Sequence, residues 1–311
     1  MDYDLVIIGG GPAGLTAGIC AVQRNLRTII IEAEEAGGQP GTLYPEKEIY
    51  NWPCFQSVTG QDISKNFVNN ALKKGVILKQ NETAEEILDV PNGLRVVTNK
   101  GSYSSAAVII AIGNGFLKPI KLDVPGASEL EGKGVHYMMP SKKEFTGKSV
   151  VFVGGGNSAL EMALMVCNIA DTCIVHRRDR FRADHCMIEK VKDAKIRTVM
   201  NAEILKIEGR GKVEKVHLKI GDAQEEIAVD MVVIKVGMTP ETEHLKRWNL
   251  ALEGDGIKVN QQMLTSRKGV FACGDAVAYP GKYRQIVTSS SEGATAVNSV
   301  VEYFRKQRNL T

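Results

Sequence analysis

The chain has 311 residues, 43% hydrophobic and 24% charged, enough for a large core and two ordinary domains and unlike a disordered or fibrous chain. With 39 basic against 36 acidic residues the net charge is +3, too small an excess to indicate a nucleic-acid partner. No apolar run approaches the roughly 20 residues of a membrane helix, and the six cysteines, at 20, 54, 167, 173, 186 and 273, form neither a C-x-x-C pair nor a zinc spacing, so reduced thiols and no metal are expected.

The first element is the apolar run Leu5 to Ile8, which begins so near the amino terminus that no secretory leader is expected, and a cytoplasmic location follows. It enters Gly9, Gly11 and Gly14, spaced G-x-G-x-x-G, then a helical stretch and a second β-branched run, Thr28 to Ile31, ending at Glu32. The order has a physical basis. Gly9 allows the tight turn, Gly11 lets the backbone approach a pyrophosphate, Gly14 lets helix pack on strand, and the helix N-terminus faces the phosphate charge. Glu32 can accept hydrogen bonds from ribose hydroxyls. The glycine spacing alone is a weak signal; the full strand, turn, helix, strand and acid set is a strong one.

Further along, "KSVVFVGGGNSALEMALMVCNIADTCIVHRRDRFRAD" repeats the arrangement with different chemistry. Gly154, Gly156 and Ala159 follow the strand Val150 to Val153, and the next strand, Cys173 to Val175, runs into His176, Arg177 and Arg178, with Arg182 close behind. An acid at that strand end would repel a 2′-phosphate, whereas arginines offer it planar, charge-assisted donors. The first unit therefore suits FAD and the second NADPH. A solvated basic turn is the bland alternative for "HRRDRFR".

Between and after these units, "GLRVVTNKGSYSSAAVIIAIG" and "AEILKIEGRGKVEKVHLKIGDAQEEIAVDMVVIKVG" alternate in strand fashion and are expected to form small accessory sheets. The Pro- and Gly-marked stretches "GNGFLKPIKLDVPGASE" and "GMTPETEHLKR" mark an exit from one sheet and a return to it. The expected organisation is a discontinuous FAD domain, residues 1–116 and 245–311, with an NADPH domain, residues 117–244, inserted. The fold class is α/β, two Rossmann-like, three-layer ββα domains.

"GGGPAG", "GGQ" at 37–39, "AIGNG" at 111–115, "VGGGNSALEMAL", "HRRDRFRA", "VVIKVGMTPET" and "VFACGDAV" together resemble the low-molecular-weight thioredoxin-reductase-like flavoproteins from end to end. The resemblance implies FAD contacts at Pro12, Ala13, Gly38, Gln39, Gly113, Gly274 and Asp275, and at Gln285 and Ile286 where a helix start faces the flavin. It implies that Asn157 and Ser158 join the NADPH phosphate turn, and that the protein is a homodimer. The usual members carry a C-x-x-C after "GV-x-Y"; here "GVHY" is followed by "MMPSKK", so no thiolate is available there for disulfide exchange.

The cysteine-free subgroup, thioredoxin-reductase-type ferredoxin–NADP reductases, is matched most closely in "LYPEKEIYNWPCF", "AIGNGFLKPIKL" and "GKGVHYMMPSKKEFTGKSV". That resemblance implies that Tyr50 stacks on the isoalloxazine, the alternative being a core or dimer-interface tyrosine. It implies hydride transfer from NADPH to flavin N5, then one-electron transfer to ferredoxin or flavodoxin, with no side chain acting as nucleophile. A non-catalytic redox sensor is the alternative that the intact "HRRDRFR" disfavours, and two departures keep other acceptors (oxygen, a quinone, a separate disulfide protein) open. "YRQIVTSS" resembles the thioredoxin-reductase version, and the chain ends at "VEYFRKQRNLT" without a flavin-covering tail, so that face is expected to be open. Lys142, Lys143, Lys282, Arg305, Lys306 and Arg308 are candidates for a field that guides an acidic partner. His136 is read as structural in preference to a role near the nicotinamide, Glu292 as either tuning the flavin or capping a helix dipole, and Cys54 as space-filling in preference to a redox thiol.

Overall fold

Short β-branched runs, too apolar to face water on either side, fix the strands that organise this chain. The computed structural model describes residues 1–114, 117–240, 245 and 247–307. The chain divides into two compact units, residues 1–117 with 240–311, and residues 118–239. Gly115 and Phe116, most of the expected return segment at 241–246, and Arg308 lie outside the described residues.

In the first unit a seven-stranded sheet runs Ile77–Lys79, Thr28–Ile31, Tyr3–Ile8, Gly101–Ile110, Gly93–Thr98 and Ala84–Val90, with Val270–Ala272 also beside Gly101–Ile110. Tyr3–Ile8 pairs in parallel with Thr28–Ile31 and with Gly101–Ile110. Gly101–Ile110 is long enough to serve two partners on its other edge: its first half pairs antiparallel with Gly93–Thr98, its second half parallel with Val270–Ala272. The strands of "GLRVVTNKGSYSSAAVIIAIG" are thus continuous with the main sheet and do not form a separate accessory one, a difference that comes from the length of this single strand.

Helix Pro12–Val22 starts on a proline, whose missing N–H costs nothing in the first turn. Helix Gly60–Lys73 is capped by Thr59, whose Oγ1 accepts from Asp62 N–H at 3.1 Å. The last helix, Ile286–Gln307, packs against Pro12–Val22. A Cβ on Gly293 would run into the Ala13 carbonyl, so this glycine sets how closely the two helices approach. Leu5, Ile7, Ile29, Ile30 and Ile109, on the strands of the sheet, are fully buried in the core of this unit, each worth about 1.5–3 kcal/mol relative to exposure.

The second unit has a parallel sheet in the order Val135–His136, Met231–Ile234, Ser149–Val153, Asp171–His176 and Arg197–Met200. Period-two alternation splits its side chains between two faces. Val151, Val153, Val175, Val232 and Ile234 pack toward a three-stranded antiparallel sheet, Ala202–Glu208, Lys215–Ile220 and Ala223–Ala228. Val150, Phe152, Ile174, Met231 and Val233 pack toward helix Asn157–Val166. This is a three-layer ββα arrangement. Among the described residues no helix is long and apolar enough to cross a membrane.

Candidate functional site

The site of the first unit is a turn at the carboxyl edge of its sheet. Gly9 has φ +110°, and a Cβ there would meet the Ala111 carbonyl; one on Gly14 would meet the Gly9 carbonyl. Gly9 N–H donates to the Ile31 carbonyl at 2.8 Å, and Ala111 N–H to the Ile8 carbonyl at 2.7 Å, so the turn is braced by the strands on both sides. Gly11 occupies the N-cap of helix Pro12–Val22 without a side-chain cap, which leaves the first-turn N–H groups for a ligand.

Motifs far apart in the sequence close on this turn. A Cβ on Gly38 would lie 2.8 Å from Gly11 Cα, one on Gly113 3.5 Å from Gln39 Nε2, and one on Gly274 2.9 Å from Ala13 Cβ. Asp275, in the short 3-10 turn Gly274–Ala276, accepts from the Ser289 hydroxyl at 3.0 Å through Oδ1; among the described residues Oδ2 has no partner. Burial pushes its carboxyl above the usual range, against the pull of that hydrogen bond. Asn51 Nδ2 donates to Gln285 Oε1, and Ile286 packs with Ile49, Trp52, Val58 and Ile63, which joins the Tyr50 segment to the start of the last helix. Tyr50 itself is 70% exposed, so it is not a core tyrosine of this chain. Cys54 is exposed and does not fill space; all six cysteines are free.

Glu32, expected to face a ribose, holds the turn. Its Oε2 accepts from Gly10 N–H at 2.6 Å and its Oε1 from Glu34 N–H at 3.0 Å, so the acid that could read the sugar also fixes the turn.

Glu292 and Lys282 are corrected by the structure. Glu292 sits beyond the first turn of the last helix, too far along to cap its dipole. Its Oε1 accepts from Tyr279 OH at 2.5 Å and Lys282 Nζ at 2.6 Å, and its Oε2 from Lys282 Nζ at 2.7 Å and Gly274 N–H at 2.8 Å. With side chains 8% and 6% exposed, Lys282 and Glu292 form a buried pair behind the Gly274–Asp275 turn, and Lys282 is no part of a surface field. Next to Glu292, the Tyr279 hydroxyl is pushed up to about 12, first by burial and then by the carboxylate. Lys142, Lys143, Arg305 and Lys306 are exposed, and Arg305 pairs with Glu302 at 2.7 Å.

The second unit repeats the turn. A Cβ on Gly154 would meet the Lys235 carbonyl; Gly154 N–H donates to the Val175 carbonyl at 3.0 Å and Lys235 N–H to the Val153 carbonyl at 2.7 Å. Gly156 is the uncapped N-cap of helix Asn157–Val166. The strand-end residue again touches the second glycine. Here it is His176, whose ring lies against Gly155 so closely that a Cβ there would overlap it. His176 is 6% exposed, stacks on Phe181 at 5.6 Å and has Nε2 3.1 Å from the Arg180 carbonyl. It lies beneath the turn, and burial lowers its pKa. Arg177 and Arg178 project from the strand end and are exposed, and Arg182 N–H donates to the Gly155 carbonyl at 2.7 Å.

Asn157 exchanges two hydrogen bonds with Asp184, at 2.9 and 2.8 Å, so its side-chain amide serves the loop after "HRRDRFR"; Ser158 is exposed at the helix start. His136 ends the short strand Val135–His136, and burial lowers its pKa. Lys235, Tyr279 and the carboxylate role of Glu292 escaped the sequence reading. The one available signal was a lysine inside the apolar run "MVVIKVG".

Each unit thus offers a glycine cradle, an uncapped helix N-terminus and a strand-end residue holding the turn, a fit for one dinucleotide apiece. The pyridine nucleotide-disulphide oxidoreductase family pattern matches residues 3–293, and the chain belongs to that family. It is 38% identical to a ferredoxin–NADP reductase of Thermus thermophilus over 312 residues, covering 96% of this chain and 92% of the relative. It is 35% identical to ferredoxin–NADP reductase 2 of Listeria monocytogenes over 310 residues, covering 97% and 93%. Among solved structures, thioredoxin reductase from T. acidophilum superposes with a TM-score of 0.88 at 29% identity, covering 98% of this chain and 99% of that one.

Proposed function

We propose that this oxidoreductase is a ferredoxin (or flavodoxin)–NADP reductase, with FAD in the first unit and NADPH in the second. The observation that carries the reading is the thiol-free stretch Met138–Lys143 after strand Val135–His136, in a chain that keeps both glycine cradles. Relatives bearing the reductase name align over nearly its whole length, which supports the acceptor. A bound flavin would accept hydride from NADPH and hand the electrons on singly, coupling a two-electron donor to a one-electron iron–sulfur protein.

The residues of this chain bind and orient. The N–H groups at Gly11 and Gly156 face the two pyrophosphates. Arg177 and Arg178 hold the 2′-phosphate, with Arg182 beside them. Asp275 accepts a hydroxyl of the FAD chain through its free oxygen, and Tyr50 covers one face of the isoalloxazine. No side chain serves as a nucleophile. The same reading makes the protein a cytoplasmic homodimer.

The test is anaerobic mixing of the flavin-loaded protein with NADPH, followed by addition of oxidised ferredoxin, with oxidised thioredoxin as the control acceptor. Flavin bleaching followed by ferredoxin reduction alone is the expected result. Thioredoxin reduction, or bleaching without transfer to ferredoxin or flavodoxin, would overturn the acceptor; no bleaching would overturn the enzyme.

A further inference from the structure

Lys235 is a half-buried ammonium group that the reading above leaves unused. It is the first residue after strand Met231–Ile234, and its Nζ donates to the Tyr137 carbonyl at 2.8 Å, just past the end of strand Val135–His136. Its charge is therefore held at the carboxyl edge of the parallel sheet. In the strand order, Ser149–Val153 lies between Met231–Ile234 on one side and Asp171–His176 on the other. The chain leaves Ser149–Val153 toward Asp171–His176, so the direction of winding reverses between Ser149–Val153 and Met231–Ile234, which is where sheets of this kind open a ligand crevice.

The alternation of the strand selects the side. Met231 and Val233 face helix Asn157–Val166, and Lys235 continues that face, the one whose helix presents the uncapped N-terminus at Gly156. Arg177 and Arg178 lie on the opposite side of the Gly154 turn, at the end of Asp171–His176. A dinucleotide with its 2′-phosphate on these arginines and its pyrophosphate on the turn must direct its other half toward Lys235.

The electrostatics agree. Burial lowers the pKa of Lys235, and among the described residues its partner is a neutral carbonyl and not a carboxylate. An ammonium group kept partly out of water without an anion is costly unless an anion arrives.

We propose that Lys235 is a binding residue for the nicotinamide-side phosphate and nicotinamide half of the pyridine nucleotide, a contact shared by NADP+ and NAD+. This rests on the reading of residues 118–239 as the nucleotide unit. It separates two recognition tasks: Arg177 and Arg178 choose between the nucleotides, while Lys235 holds either one.

The experiment is isothermal titration of the flavin-loaded full chain with NADP+, NAD+ and adenosine 2′,5′-bisphosphate, for the unaltered protein, Lys235→Met and Lys235→Arg. A lost charge-assisted bond predicts that Lys235→Met weakens NADP+ and NAD+ by about tenfold or more, alike for both. The bisphosphate, which lacks the nicotinamide half, binds as before, and Lys235→Arg recovers most of the loss. Unchanged NADP+ affinity in Lys235→Met would overturn the assignment. So would an equal loss for the bisphosphate, which would mark a disturbed unit and not a lost contact. Unaltered protein that binds neither NADP+ nor the bisphosphate would overturn the reading of the unit itself, and this assignment with it.

Discussion

Replacing Glu292 by alanine isolates the contribution of the buried pair. In the native chain its carboxylate receives the Lys282 ammonium, the Tyr279 hydroxyl and the Gly274 N–H. Glu292→Ala leaves the ammonium, whose side chain is 8% exposed, without a counter-charge and removes the acceptor from the other two donors. Removing one partner of a buried pair costs about 3–5 kcal/mol, a large share of the ~5–15 kcal/mol by which domains are stable. Glu292→Leu with Lys282→Met removes both charges and should recover most of that loss, because no uncompensated charge stays behind. Urea unfolding followed by far-UV circular dichroism on the flavin-free chain measures all variants on one scale. An alanine variant within about 1 kcal/mol of the parent, or a double variant less stable than the single one, would refute the reasoning.

Gly155→Ala should abolish nucleotide binding while leaving the flavin spectrum unchanged, since its Cβ would overlap the His176 ring in the second unit; titration with NADP+ beside the visible spectrum checks this. Burial holds the folded-state pKa of His176 below its ordinary value, so the unfolded chain takes up a proton first as pH falls. Stability is therefore fully present above about pH 6.5 and declines below it by up to ~1.4 kcal/mol per pH unit until the folded-state value is passed. His136 adds in the same direction, and His176→Phe should reduce the dependence in denaturation midpoints compared at several pH values. Tyr50→Ala should change stability by less than ~0.5 kcal/mol, because the ring is already exposed, yet alter the flavin fluorescence of the loaded protein.

The two turns were legible because backbone geometry tolerates only glycine at Gly9 and little else at Gly154, and such constraints are written in residue identity. The exposed position of the arginines at 177 and 178 was legible because they directly follow the apolar run that forms the strand. Lys282 and Glu292 were not: a charged residue reads as solvated until its partner is known, and nothing in the spacing of the two brings them under the Gly274 turn. His176 belonged by sequence to a basic cluster, and only the packing of its ring beneath Gly155 separates it from its neighbours. The joining of Gly93–Thr98 to the main sheet depended on how far Gly101–Ile110 continues, and strand length is weakly encoded.

The brace behind each glycine turn has one further consequence. Ala111 and Lys235 follow equivalent strands, donate to equivalent carbonyls at 2.7 Å and back equivalent glycines with their own carbonyls. The brace itself is made by the main chain of that position, so it does not dictate which side chain stands there. A template copied within one gene could keep its architecture while one copy took a methyl group at this point and the other a cation. The two halves of the chain would then differ in what they hold for the same reason that they agree in how they fold.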